Sequence, residues 1–176
     1  NALGQTTSVS ASADGGASTT VASNASYFPN GALKQFTYGN GIVHTMTQNA
    51  RQLPSQSVDG SVLNLTATFD PNGNVSAITD ATAAARQTRS MGYDQLDRLT
   101  STTSPMFGTA NYVYDTLDNL KQVNVSGGTG ARNHYYCYNA KNQLEYVRSG
   151  PVCTSATPSM VYIQYDVQGN LLQKTG

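Results

Sequence analysis

The sequence predicts an all-β protein: tandem β-hairpin repeats forming a long, coiled antiparallel sheet. Three observations carry that reading. Uncharged polar residues dominate, with 17 Ser, 21 Thr, 15 Asn and 12 Gln among 176 residues. Tyrosine and glycine are abundant, at 11 and 16, and tryptophan is absent, a balance suited to strands and tight turns. Above all, one seven-residue pattern returns seven times along the chain.

The pattern reads aromatic, Asp, two residues, Gly or Asp, Asn or Arg, then Leu. Its clearest copies are YDQLDRL from Tyr93, YDTLDNL from Tyr114 and YDVQGNL from Tyr165. FDPNGNV from Phe69, YNAKNQL from Tyr138 and YFPNGAL from Tyr27 keep most of it. TQNARQL from Thr47 has lost the aromatic and is the weakest copy. Successive starts lie 20, 22, 24, 21, 24 and 27 residues apart, so length changes fall in loops between units. The seventh slot is Leu33, Leu53, Val75, Leu99, Leu120, Leu144 or Leu171.

Each copy makes local physical sense. The residues leading in alternate, as in Tyr112-Val113-Tyr114 and Ile163-Gln164-Tyr165, which is the period of a strand. The next four residues are turn chemistry: an Asp side chain bonds backbone amides ahead of it, and Gly or Asn accepts positive φ. A second strand-like stretch follows, such as Leu120–Val125. One unit is therefore strand, turn, strand, with Tyr27, Phe69, Tyr93, Tyr114, Tyr138 and Tyr165 packing across the pair onto the seventh-slot residues. A lone hairpin is marginal in water, so the units must stack and share an inward face. Seven units imply about 14 strands, a sheet about 67 Å wide at the usual strand spacing.

The organisation expected is an array over residues 27–176 behind a different lead-in, residues 1–26. Twenty-one of those first 26 residues are Ser, Thr, Ala, Gly or Asn. They read either as a degenerate hairpin turning at Asp14-Gly15-Gly16 or as an unstructured leader. A short helix is expected over Asp80–Arg89, where Ala81, Ala83, Ala84 and Ala85 follow an Asp cap. Two cysteines, Cys137 and Cys153, are separated by 15 residues that include the turn signal Ser149-Gly150-Pro151. They read as a disulfide or as two unpaired thiols; a bridge would need an oxidising compartment. No signal peptide is visible at Asn1-Ala2-Leu3, so the sequence reads as starting after processing or as a piece of something longer.

Composition also excludes functions. Ten basic residues balance ten acidic ones, leaving no positive excess to track phosphates, so no nucleic-acid partner is expected. No apolar run approaches the length of a spanning helix, so no membrane insertion is expected. No catalytic residue, cofactor or metal is expected. His44 and His134 both read as strand residues, and an enzyme would need one of them beside an acid in a cleft. The pairs Asp94/Asp97 and Asp115/Asp118 fall at one turn offset in adjacent repeats, and turn formation explains them. The tyrosine set reads first as packing between hairpins and second as a stacking surface for sugars.

The repeated Tyr-Asp-x-x-Gly/Asp-Asn/Arg-Leu pattern resembles the YD repeat of Rhs-type proteins over residues 27–176. The stretch Tyr27-Phe28-Pro29-Asn30-Gly31, followed by Phe36-Thr37-Tyr38-Gly39-Asn40-Gly41, is similar to a segment of bacterial Rhs cores. That family includes Rhs polymorphic toxins, the B and C components of insecticidal toxin complexes, and teneurins. The resemblance implies a β-ribbon that spirals into a hollow shell, without catalysis of its own, enclosing or displaying a toxin domain. It implies as partners further YD repeats of the same or neighbouring chains and an encapsulated effector domain, in a secreted or surface protein of bacteria. Asp70-Pro71-Asn72-Gly73 matches the letters of a cleavage element of the family, but it occupies a repeat turn and reads as one. Fourteen strands supply only about half the girth needed to surround a 100-residue domain. The rival readings are a subunit that joins edge to edge into a tube or filament and a glycan- or cell-surface-binding β module.

Overall fold

The computed structural model of the chain describes residues 1–82, 86–128, 130–155 and 158–176. Among the described residues there are fifteen strands and no helix. They fall in two compact units, Asn1–Thr88 and Arg89–Gly176, so the unit boundary falls between the third and fourth repeats.

The first unit holds β1 (Val9–Ala11), β2 (Thr19–Tyr27), β3 (Leu33–Tyr38), β4 (Val43–Gln48), β5 (Pro54–Asp59), β6 (Leu63–Phe69) and β7 (Val75–Asp80). Each pairs antiparallel with the next in sequence. Within residues 1–26, Val9 faces Ala22 and Ala11 faces Thr19, giving a hairpin turned at Asp14 and Gly15, both at positive φ.

The second unit holds β8 (Arg89–Tyr93), β9 (Leu99–Ser104), β10 (Gly108–Tyr114), β11 (Leu120–Ser126), β12 (Arg132–Tyr138), β13 (Leu144–Arg148), β14 (Val161–Tyr165) and β15 (Leu171–Thr175). It has the same order of antiparallel neighbours. Every connection made by a repeat has one register. The aromatic slot faces the seventh slot, as Tyr114 faces Leu120, and the ladder shifts just before that pair. The shift is a β-bulge, which bends the strand into the loop.

Pairing sorts the residues of the second unit onto two faces. Opposite residues share a face, so Thr102, Ala110 and Val125 form one row and Tyr112, Val123 and His134 another. Ala110, Val123 and Val125 are buried there, packed by Phe107, Tyr112, Leu120 and Tyr136. On the other face Asn111, Asn124 and Asn133 line up, as do Gln122 and Tyr135. The buried core thus lies at strand centres, whereas Leu33, Val75, Leu99, Leu120 and Leu144 are half-buried and Leu171 is exposed. The expectation that the Tyr and Leu slots form the inward face is narrowed: the seventh-slot Leu120 packs against this cluster, while the fully buried residues lie at strand centres. The Tyr and Leu slots sit at the loop ends of the strands, where a neighbouring hairpin covers one side only.

Two further expectations change. No helix occupies the described part of Asp80–Arg89; Asp80 ends β7 and Arg89 begins β8, while Ala83, Ala84 and Ala85 lie outside the described residues. The Asp80 carboxylate, 7% exposed, accepts the Thr82 and Gln87 amides and the Thr82 hydroxyl. It organises a loop by the side-chain bonding that competes with helix. The weakest repeat also lies one residue later than its letters suggest. Gln48, not Thr47, faces the seventh slot, and that slot is Pro54; Leu53 stands in the sixth. The loop closes where an Asx side chain and a left-handed residue fall five and two places before the next strand, at Asn49 and Gln52, and leucine alone does not set it.

Gly108 makes a close backbone approach within the second unit. Its φ is +80°, and a Cβ there would run into the Ser126 carbonyl. Gly108→Ala is expected to cost about 2 kcal/mol, read as a lower urea midpoint. Gly150→Ala, in open space, should change it by less than about 0.5 kcal/mol.

Candidate functional site

The loops of the seven repeats share one pair of backbone bonds, and six of them add an Asp or Asn side chain in the second slot, where the Tyr27 repeat has Phe28. In the Tyr114 repeat the Asp115 amide donates to the Asn119 carbonyl at 2.9 Å, and the Asp118 amide donates to the Asp115 carbonyl at 3.3 Å. One oxygen of the Asp115 carboxylate accepts the Leu117 amide at 2.8 Å and the Asn119 amide at 2.9 Å. Its other oxygen accepts the Asn119 side chain at 3.0 Å. Asp94 does the same with Leu96 and Arg98, and Asp166 with Gln168 and Asn170. Asn139 and Asn49 make the two amide contacts with a neutral side chain. The fifth slot is left-handed throughout: Gly31, Gln52, Gly73, Asp97, Asp118, Asn142 and Gly169. Glycine, asparagine and aspartate tolerate that conformation best, which is why those letters recur.

Donation to a carboxylate favours its charged form. Arg98 bonding holds Asp94 below the usual 3.8, and bonds from the Asn119 and Asn170 side chains do so for Asp115 and Asp166, in each case over an opposing effect of burial.

A second set of contacts ties a hairpin to the one before it at the aromatic slots Tyr27, Tyr114, Tyr138 and Tyr165. The Tyr114 hydroxyl donates to the Leu99 carbonyl at 2.9 Å, Tyr138 to Leu120 at 3.0 Å and Tyr165 to Leu144 at 3.0 Å. The Tyr27 hydroxyl reaches the Thr6 carbonyl at 2.6 Å. Burial pushes the Tyr114 and Tyr138 phenols up, so they remain donors across the neutral range. Adjacent loops are stitched as well. Arg98 in a sixth slot meets Asp118 in the next fifth slot at 2.6 Å, and Asn119 meets Asn142 at 2.6 Å. In the first unit Asn30 donates to Gln52 and Gln48, and Arg51 to the Asp70 carbonyl.

The remaining candidates resolve individually. The Cys137 and Cys153 sulfurs are bonded, with Cα atoms 5.6 Å apart. That bond carries part of the β13–β14 connection onto the polar face, where Cys137 faces Tyr146. Arg148 lies on the same face and is fully buried. Its guanidinium stands 4.2 Å from the centre of the Tyr146 ring and makes no hydrogen bond among the described residues; nothing in the sequence around it signalled such burial. His44 Nδ1 lies 2.6 Å from Asp59 Oδ1, a cross-strand pair 12% and 19% exposed under the Phe36 ring. The sequence had singled out His44 but not Asp59, because strand register alone makes them neighbours. No hydroxyl or thiol among the described residues bonds the other ring nitrogen of His44. His134 faces Val123 on the apolar face. Asp70-Pro71-Asn72-Gly73 forms the common loop, with the Gly73 amide on Asp70. Among the described residues no three His, Cys, Asp or Glu side chains are grouped to hold a metal ion. Of the eleven tyrosines Tyr38 is exposed and the other ten are half-buried.

No family model matches the chain, nor does any curated protein. Solved structures do. The chain is similar to a crystal structure of TcdB2-TccC3-Cdc42, with a TM-score of 0.77 and 18% identity over 98% of this chain and 11% of that one. TcdB2-TccC3 without its hypervariable C-terminal region gives a TM-score of 0.74 at 17% identity, over 98% and 11% of the two chains. The Tc holotoxin pore of Photorhabdus luminescens gives 0.69 at 18% identity, over 93% and 10%. The chain therefore has the fold of a segment of these toxin complexes and spans about a tenth of their length.

Two measurements test the loop and ladder chemistry. Carboxylates whose folded pKa is depressed add stability that is fully present above their unfolded value and lost as pH falls through the folded one. Unfolding midpoints should hold level down to about pH 5 and drop below about pH 4. The triple variant Asp94→Asn, Asp115→Asn, Asp166→Asn should flatten that drop; an unchanged acid profile would refute the assignment. Separately, Tyr138→Phe should cost about 1 kcal/mol in chemical unfolding, whereas Tyr38→Phe should be neutral.

Proposed function

We propose that the chain is a section of a YD-repeat β-shell of a bacterial toxin, a non-enzymatic module whose product is form. The observation that carries this reading is the hairpin-to-hairpin tyrosine bond, repeated with one geometry in the second unit. A chain built this way has its chemistry committed to holding neighbours in register. Polar side chains that would serve a reaction elsewhere are engaged in loops, as Asp94, Asp115 and Asp166 are. The likeness to TcdB2-TccC3 segments supports the shell reading, and the hypervariable C-terminal region of TccC3 supports an array that accompanies an exchangeable effector. The partners are then further YD repeats and that effector. The disulfide supports work in an oxidising, extracellular setting.

Limited proteolysis of the full-length parent protein tests this. The effector segment should resist protease in the native protein. It should become cleavable when Tyr114→Phe, Tyr138→Phe and Tyr165→Phe loosen the array. An effector cut equally fast in both proteins would overturn the shell reading.

A further inference from the structure

We propose that the Cys137–Cys153 disulfide is a redox switch: a dithiol reductant opens it from Cys153, the Arg148 guanidinium receives the Cys137 thiolate, and the seam between β13 and β14 loosens. The inference goes beyond the shell reading and does not rest on it. All of its parts lie in the second unit.

The two cysteines differ in access. Cys137 is 3% exposed, whereas Cys153 is exposed, so an attacking thiolate meets Cys153 first. Register places Arg148 beside the other sulfur. Cys137 faces Tyr146 and Tyr135 faces Arg148, so cysteine and arginine lie one diagonal step apart on one face. The guanidinium stands over the ring of Tyr146, the residue directly opposite Cys137. Arg148 is fully buried, yet none of its three side-chain nitrogens has a hydrogen-bond partner among the described residues. That arrangement is unfavourable while the sulfur is a neutral disulfide. A thiolate in the same place supplies the missing acceptor. The strand residues facing the pair are Tyr135, Tyr146 and Tyr162, which offer the guanidinium no carboxylate. Glu145 alternates to the opposite face of β13.

The step balances with a dithiol as the sole co-reactant. One thiolate of the dithiol attacks the Cys153 sulfur. The Sγ–Sγ bond breaks, and its electron pair leaves on Cys137 beside Arg148. The second thiol of the reductant then displaces Cys153 from the mixed disulfide. The dithiol loses two electrons and two protons and becomes a disulfide. At neutral pH Cys153 takes one proton and water takes the other, because Cys137 stays ionised. A leaving thiolate stabilised in place departs faster and draws the equilibrium towards the reduced form. The same bond staples a thin seam. β13 and β14 share two residue pairs, Tyr146 with Tyr162 and Val147 with Val161. Cys153 lies in the connection between those strands and Cys137 in β12, so reduction frees that connection from β12.

The 176-residue protein is equilibrated with graded mixtures of reduced and oxidised dithiothreitol at about pH 8.5, where an ordinary thiol is half ionised, and its free thiols are trapped and counted. Arg148→Met should need a reduced-to-oxidised ratio about tenfold higher than the parent. Arg148→Lys, which keeps the charge, should recover most of that difference. Urea midpoints add a test of sign: Arg148→Met should raise the midpoint of the oxidised protein and lower that of the reduced one. Amide exchange of the parent should quicken on reduction at residues 146–147 and 161–163 and stay level in β10 and β11. Equal ratios for the parent and Arg148→Met overturn the proposal, as do midpoint shifts of one sign in both forms. Exchange that quickens throughout the unit, or not at all at the seam, also overturns it. The exchange measurement uses the parent alone and stands even where a variant fails to fold.

Discussion

In six of the seven loops the second-slot Asp or Asn side chain, turned back into its own loop, is the contact on which the rest depends; the Tyr27 loop, with Phe28 there, closes by its backbone bonds. Seven loops must close within five residues, and a chain this short of charge and of large apolar groups has little else to close them with. An Asp or Asn oxygen that takes the amides two and four residues ahead replaces hydrogen bonds the backbone cannot make for itself there. Closing the loop fixes the bulge, the bulge fixes the pairing of slots one and seven, and that pairing decides which residues share a face.

Packing then adds what local chemistry cannot. The buried apolar set of the second unit is small, Ala110, Val123 and Val125 beside the bridged Cys137. Much of its order comes from polar bonds between neighbours: tyrosine onto leucine carbonyl, sixth slot onto fifth. Such bonds are individually modest, about 1 kcal/mol each, and are worth having only when the neighbour is present. Cooperation between adjacent hairpins is the expected energetics of a repeat array, and it suits a wall better than a pocket. Arg148 is the exception. A buried guanidinium without hydrogen bonds is costly, and the face of Tyr146 offsets only part of that.

Much of this was legible in the residues. The repeat, the strand-turn-strand unit and the left-handed fifth slot follow from spacing and from the side-chain chemistry of Asp, Asn and Gly. Errors arose where one letter was trusted over the loop it belongs to. Leu53 drew the second repeat one residue out of register, although Asn49 and Gln52 mark the true loop. The alanines after Asp80 suggested a helix, but Asp80 spends its carboxylate on a loop between strands. The recurrent leucines suggested a core; Leu120 does pack against it, and the fully buried residues lie at strand centres.

The amino-acid order alone determined the all-β class, the number of hairpins and the chemistry of each turn, because those are settled within a few bonded neighbours. Tertiary structure alone decided that His44 meets Asp59, that Tyr138 reaches Leu120 and that Arg148 is buried. Each of these depends on register and stacking between segments about 15 or more residues apart, and no local signal specifies what a strand will find beside it.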